Sequence, residues 1–304
     1  MIVRTPAEFL AAWSPDTFPA FAPATPRAAF LVAPHGFSLA GESARDNRYM
    51  QMDAGTDAAR ALIEHAALAA ALRESLPTIV FPGDAATPDA VFPNNVFATT
   101  AGRAIVGAMR HEVRRREASR ADIRQFFTGL LGYELVDLST RPMVAELTGS
   151  LVIDRARKIG FCGLSERCDL AGAQAMHEAF GLKLTFCFEL ASGEYHTNVV
   201  LAQLASRALI IAPEGFADPA AAEAIAHVYA PRVLRLDGTQ KAAFAGNAIA
   251  LDSQRVWLSE RAANSLGGRG HQQLAGWGFS LRSVALAEIE KAGGSLRCCV
   301  GEIF

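Results

Sequence analysis

Four stretches of the chain share one pattern: a short apolar run, a small or polar break, and a second apolar run. They are Asn95 to Ala108 (NVFATTAGRAIVGA), Gly149 to Leu164 (GSLVIDRARKIGFCGL), Thr197 to Ala212 (TNVVLAQLASRALIIA) and Gly246 to Ser259 (GNAIALDSQRVWLS). The runs are rich in Val, Ile and Leu. The breaks fall at Ala101-Gly102, Arg155-Ala156-Arg157, Ala205-Ser206 and Asp252-Ser253. This patterning predicts four β-hairpins. The stretches between them read as helices. Thr56 to Leu76 is Ala/Leu-rich without Gly or Pro inside, and Ser165 to Leu182 opens on a potential Ser cap and closes at a glycine. Ser119 to Tyr133, Asp218 to Ala230 and Glu260 to Gly278 are further helical stretches, the last interrupted by glycines.

Asn95, Ser150, Asn198 and Asn247 open the hairpins at intervals of about 50 residues, a period that signals repeat architecture. One further interval reaches Ser295, just before a terminal strand expected to start at Cys298. One interval back reaches the apolar RAAFLVAPHGF (Arg27 to Phe37). Pairing of the tail strand with this early strand would complete a fifth unit. The resulting expectation is one α/β domain over residues 1–304, a five-fold pseudosymmetric propeller of hairpin, helix and strand. A doubly wound sheet fits less well, because hairpins are not βαβ crossovers.

Composition narrows the function. With 51% hydrophobic and 20% charged residues the chain reads as globular, and a formal net charge of −2 gives no bulk attraction to nucleic acid or to an anionic membrane. No apolar run approaches the ~20 residues of a membrane helix. The opening MIVRTPAEFLAAW carries Glu8 within its apolar stretch and no cleavage pattern, so no signal peptide is expected. Five cysteines, an odd number with no CxxC pair, argue against a disulfide scaffold and for a reducing cytoplasm.

In a closed ring, equivalent positions of the repeats converge. Asn94-Asn95 stand at the first hairpin, Glu146 just before the second, His196 just before the third, Gly246-Asn247 at the fourth, and Cys298 at the last strand. A thiol, an imidazole and a carboxylate at one phase of a repeat form a set for nucleophilic catalysis. Each alone has a plainer reading: a packed cysteine, a structural histidine, a capping carboxylate. As zinc ligands the three are a poor set, and no metal or cofactor is expected.

The motifs PDAVFPNN, ELTGS, YHTN, FAGN and GGSLRCC, in that order and spacing, resemble the guanidino-group-modifying hydrolases, the pentein superfamily. This group includes arginine deiminases, dimethylarginine dimethylaminohydrolases, arginine dihydrolases and glycine amidinotransferases. The likeness runs from Phe30 to Phe304 and leans toward the arginine deiminase-related bacterial branch with citrulline-using hydrolases. It implies a five-bladed α/β propeller, with Cys298 as nucleophile, His196 as general acid/base and Glu146 as the carboxylate gripping the guanidinium. Cys299 falls at a packing position. Asn95 and Asn198 stand where many members carry Asp, and Asn47 in DNRYM resembles an asparagine of the arginine dihydrolases. Together with Asn94 and Asn247 these form the expected substrate-binding set. Arg110, or one of Arg114-Arg115-Arg116, is expected to hold the substrate carboxylate.

The implied chemistry is attack of the Cys298 thiolate on a guanidino or ureido carbon, with His196 moving the protons. An amide in place of a carboxylate can face a neutral urea, which leans toward a citrulline-like substrate or toward two successive hydrolyses of arginine. An amidinotransferase and a catalytically silent arginine-like ligand binder remain as alternatives. The expected partner is a small arginine- or citrulline-like molecule. Nucleic acid and membrane are not expected, and a homodimer is left open.

Overall fold

A computed structural model describes all residues, Met1 to Phe304. The strands form five small sheets rather than one large one. Three of them carry the expected unit in full. Phe97–Thr100 and Arg103–Val106 form a hairpin, and Glu134–Asp137 joins the second arm in parallel after an intervening helix. Leu151–Asp154, Ile159–Leu164 and Leu184–Glu189 repeat this, with Ile2–Val3 added at the edge. Leu201–Leu204, Ala208–Ile211 and Val233–Arg235 repeat it again. The terminal strand Gly301–Ile303 pairs antiparallel with Ala28–Val32, and Thr78–Phe81 adds in parallel. The C-terminal strand therefore joins the early Ala28–Val32 strand in one sheet, as the tail-strand reading expects.

The fold departs from the sequence reading in three places. The expected hairpin at Gly246 to Ser259 keeps only its second arm, Arg255–Ser259, which pairs in parallel with Ser280–Val284. The first arm is reduced to a single bridge between Ile249 and Trp257. The expected strand starts are instead single helical turns: Pro93–Asn95, Leu147–Ser150, Thr197–Val200 and Leu296–Cys299. Small and polar runs such as PNN and LTGS lack the alternation a strand needs, and a turn brings successive side chains to one end of the sheet. Cys298 thus sits in a turn, and its strand begins at Gly301. Finally, the helix expected from Ser165 is capped by Asp169, whose carboxylate accepts from Gly172 N at 2.7 Å, and it runs over Leu170–Ala179.

Asp57, Asp218 and Ser259 cap other helices in the same way. The helix over Ala121–Gln125 runs on into a wider turn at Phe126–Leu130, and Gly267, with φ of 59°, breaks the last helical stretch in two. The apolar faces of sheets and helices close several core clusters; in one, Phe9 stacks on Phe186 with centroids 4.9 Å apart. No helix is long and apolar enough to cross a membrane.

Candidate active site

The helical turns before the strands meet one another. Hydrogen bonds tie them into a belt. Thr148 Oγ1 donates to the Asn94 carbonyl at 2.8 Å, and Asn198 Nδ2 donates to the Thr148 carbonyl at 3.0 Å. Asn247 Nδ2 donates to the Asn198 carbonyl at 2.8 Å, and the Cys298 amide donates to Asn247 Oδ1 at 3.4 Å. Asn247 Nδ2 also reaches Cys298 Sγ at 3.3 Å. Each asparagine amide offers a donor and an acceptor, so it can bridge two turns at once, which a carboxylate cannot.

One side of this belt lines a cavity of about 20 Å³, bounded by Cys298, His196, Asn95, Asn47, Asp89 and Arg167 among others. His196 Nε2 is 2.8 Å from Glu146 Oε2. Gly149 makes this approach possible: a Cβ there would lie 2.7 Å from the imidazole. Glu146 is fully engaged by the protein. Arg167 Nη1 donates to it at 3.2 Å, Asn95 Nδ2 at 3.5 Å and the Arg110 amide at 3.3 Å. Arg167 in turn is held by Asp46 through its Nε at 2.8 Å and by the Ser43 carbonyl.

These contacts fix the charges. Burial works against the Glu146 carboxylate, but Arg167 and the His196 hydrogen bond outweigh it and hold the pKa far below the usual range. Burial pushes the His196 pKa down despite Glu146. Burial pushes the Cys298 thiol up, with the Ser295 backbone, Asn247 and the more distant Arg297 and Arg114 pulling the other way. Asp89 is a buried carboxylate whose Oδ2 accepts from Ser43 Oγ at 2.5 Å while Oδ1 has no partner. Its pKa is raised by burial.

Of the residues singled out from sequence, Cys298, His196, Asn95 and Asn47 line the cavity and Glu146 lies directly behind His196. Asn47 donates to the Gly293 carbonyl at 3.3 Å and ties the Asn47 segment to the Gly293-Gly294 turn. Asn94, Asn198 and Asn247 belong to the belt and are not in the cavity lining: Asn198 and Asn247 use their amides to join turns, while Asn94 joins mainly through its carbonyl and its side-chain Oδ1 has no partner. Arg110 turns outward: its guanidinium pairs with Asp46 at 3.3 Å and with Glu166. The arginine that does reach the cavity is Arg114, from the run read as Arg114-Arg115-Arg116. It is buried, pairs with Glu117 at 2.7 Å and donates to Asn95 Oδ1 at 2.8 Å.

Asp89 and Arg167 escape a reading by repeat phase. Asp89 lies within the quoted PDAVFPNN, but six residues before Asn95, off the phase on which the search was built. Arg167 comes from the turn Ser165 to Cys168, shaped by Ser165 Oγ accepting from the Arg167 amide at 3.0 Å, and no motif marks it.

Comparison with known proteins gives this geometry a context. An uncharacterized protein of Bacillus subtilis (strain 168), YkgA, is 24% identical over 241 residues, covering 78% of this chain and 77% of the relative. Among solved structures, ArgZ, an arginine dihydrolase from the ornithine-ammonia cycle in cyanobacteria, superposes with a TM-score of 0.80 at 18% identity. The match covers 91% of this chain and only 40% of that one. The substrate-bound N-terminal domain of ArgZ matches over 97% of its length with a TM-score of 0.78. A dimethylarginine dimethylaminohydrolase, caught as an adduct with 4-chloro-2-hydroxymethylpyridine, gives a TM-score of 0.69 at 20% identity over 91% of this chain and 99% of that one. These likenesses establish a shared mixed α/β fold. The family model for eukaryotic N,N-dimethylarginine dimethylhydrolase matches residues 33–304, and the chain belongs to that family, within the guanidino-group-modifying superfamily.

Proposed function

We propose that the protein hydrolyses the C–N bond of a guanidino amino acid through a covalent intermediate on Cys298. The observation that carries this reading is the arrangement around one buried cavity: a thiol, an imidazole backed by an ion-paired carboxylate, and one carboxylate oxygen with no partner. Asp89, rather than Glu146, is the group free to grip a guanidinium, since Glu146 is already neutralised by Arg167. The Cys298 sulfur attacks the guanidino carbon as its proton passes to His196. His196 protonates the departing nitrogen, which leaves as ammonia or an amine and forms a thiouronium. His196 then takes a proton from water, which adds to the same carbon and releases the sulfur, giving the ureido product and the free thiol.

Asn95 and Asn198, at positions where an acid would favour a cation, leaned toward a ureido substrate. Asp89 supplies a carboxylate that this argument lacked and supports a guanidinium as the first substrate. Whether the ureido product is hydrolysed again is read by the same assay. A cavity of about 20 Å³ holds a water, not an arginine, so entry requires the segment from Ser43 to Asn47 to shift. Its ties are the Asn47–Gly293 and Asp46–Arg167 hydrogen bonds. We also read the five sheets as a closed five-fold propeller. This rests on the repeated strand pattern and on the bridges Ala108–Ala145 and Leu190–Phe216 between neighbouring sheets.

The test is a product assay with arginine, methylated arginines, citrulline and agmatine, reading ammonia, citrulline and ornithine. Citrulline from arginine or a methylarginine, lost in Cys298→Ala and weakened mainly in KM by Asp89→Asn, is expected. No Cys298-dependent product from any of the four would sink the reading.

A further inference from the structure

A second cavity, of about 510 Å³, lies away from Cys298. Its lining includes Arg27, Arg103, Arg155 and Lys158, with the rings of Phe180 and Phe304, and no carboxylate side chain. Its volume falls within the ~300–1,000 Å³ typical of small-molecule pockets. We propose that this cavity binds a small organic polyanion, a molecule carrying two or more phosphate or carboxylate groups.

Arg155 is more buried than Arg27 or Arg103. Its guanidinium is largely buried, between the Phe304 ring at 4.2 Å and the Phe180 ring at 5.2 Å, and it donates to the Thr99 carbonyl at 2.9 Å. The carboxylate nearest to it, Glu302, is 3.9 Å away and sits closer to Arg297, at 2.9 Å. One carboxylate thus serves two guanidiniums and leaves a net positive charge in a poorly solvated place. Burial pulls the Arg155 pKa down while Glu302 only partly opposes it. A buried charge with half a partner is costly, and an anion arriving from the cavity side would complete the pairing.

The other three cations add to this field. Arg27 donates to the Tyr133 hydroxyl, and Lys158 lies over the Phe21 ring at 5.5 Å; neither pairs with a carboxylate. Lys158 also occupies a tight turn with φ of 56°, a conformation that asparagine or glycine adopts at less cost. Arg103 does have a partner, Glu134 at 2.9 Å, but that pair is exposed and weak in salt. Four cations of one sign around a concave wall focus the field on whatever enters. The apolar rings give a planar ligand body a surface to lie on. Nothing in this argument draws on hydrolysis at Cys298, so the two readings stand or fall separately.

Isothermal titration of the full chain with inorganic triphosphate, ATP and citrate, at near-physiological salt, tests the site. Saturable one-site binding of at least one probe is expected, weakened about tenfold or more by Arg27→Glu with Lys158→Glu. Citrate alone would identify a carboxylate ligand, inorganic triphosphate a phosphate ligand, and tighter binding of ATP a contribution from the rings. Absence of saturable binding by all three overturns the proposal. So does unchanged affinity in a double variant that melts like the wild type. Should that variant unfold, protection of Lys158 from an amine-reactive ester by the same anions decides the matter in the wild-type protein. Lack of protection by any of them is equally fatal.

Discussion

Burial disfavours the charged forms of both Cys298 and His196. Burial raises the thiol pKa above the ordinary value of about 8.5, and burial lowers that of His196. Both shifts work against a thiolate–imidazolium pair in the free protein. Below its pKa the thiolate fraction grows about tenfold per pH unit. Carbamidomethylation of Cys298 by iodoacetamide, followed on its peptide by mass spectrometry, is expected to accelerate at that rate from pH 7 to 9 without levelling off. A plateau near pH 7 would mean a preformed thiolate and would refute the burial argument. Binding of a cation in the cavity should lower the thiol pKa, so a guanidinium compound that is not turned over is expected to shift the profile to lower pH. At this scale, sequence reading located Cys298, His196, Glu146, Asn95 and Asn47, because those residues share a phase or a motif. It missed Asp89 and Arg167 because their importance lies in which partner is absent and which is present. Asp89 Oδ1 lacks a hydrogen bond, and Arg167 occupies the carboxylate that the substrate was expected to use.

The helix Ala58–Arg73 shows what periodicity leaves out. Its Ala and Leu positions made it legible as a helix, and Leu68, Ala69 and Leu72 are in the core. But Glu64 and His65 are buried too. Glu64 accepts from the Glu288 amide at 2.9 Å and the Ile289 amide at 3.2 Å, so it anchors the turn that leads to the Gly293 segment. His65 Nε2 has no partner, and burial depresses its pKa to about 4, with His35 adding a smaller push in the same direction. In the unfolded chain the value returns to about 6.5, so the unfolded state binds more protons between these limits. Stability is full above pH 6.5 and falls as the pH drops toward 4, by up to about 3 kcal/mol from this group. Substituting His65→Leu is expected to flatten that slope. The measurement is the urea midpoint at pH 7 and pH 5 for both proteins. An equal loss in both would show that His65 does not carry the acid sensitivity. Three of the four hairpins were legible because Val, Ile and Leu in short runs with small breaks favour strand pairing, whereas the same pattern at Gly246 to Ser259 kept only its second arm as a strand. The helical turns before them were not, because a three- or four-residue turn has no period to detect.

At the level of the whole molecule, closure of the terminal sheet is a specific event: the last strand must find the second one. Gly301–Ile303 pairs with Ala28–Val32 across almost the full length of the chain, and the same strand follows directly on the turn that holds Cys298. Such long-range pairing orders the Cys298 turn only once the rest of the fold is in place. Gly301 is where this closure has no slack. A Cβ there would lie 2.2 Å from the Phe30 ring, which is itself wedged edge-on against Phe81 and Phe127 with centroids 6.1 and 5.4 Å away. The ring has no room to retreat, so Gly301→Ala is expected to destabilise by about 1–3 kcal/mol, the usual cost of overpacking a filled core. The urea midpoint should fall with an unchanged slope if the native surface is preserved. Because the strained strand begins only two residues after Cys299, the thiol's reaction with iodoacetamide at fixed pH should also quicken in this variant. A lowered midpoint with unaltered Cys298 reactivity would show that closure stabilises the fold without positioning the nucleophile. An unaltered midpoint would mean that the Phe30 contact yields more readily than its packing indicates.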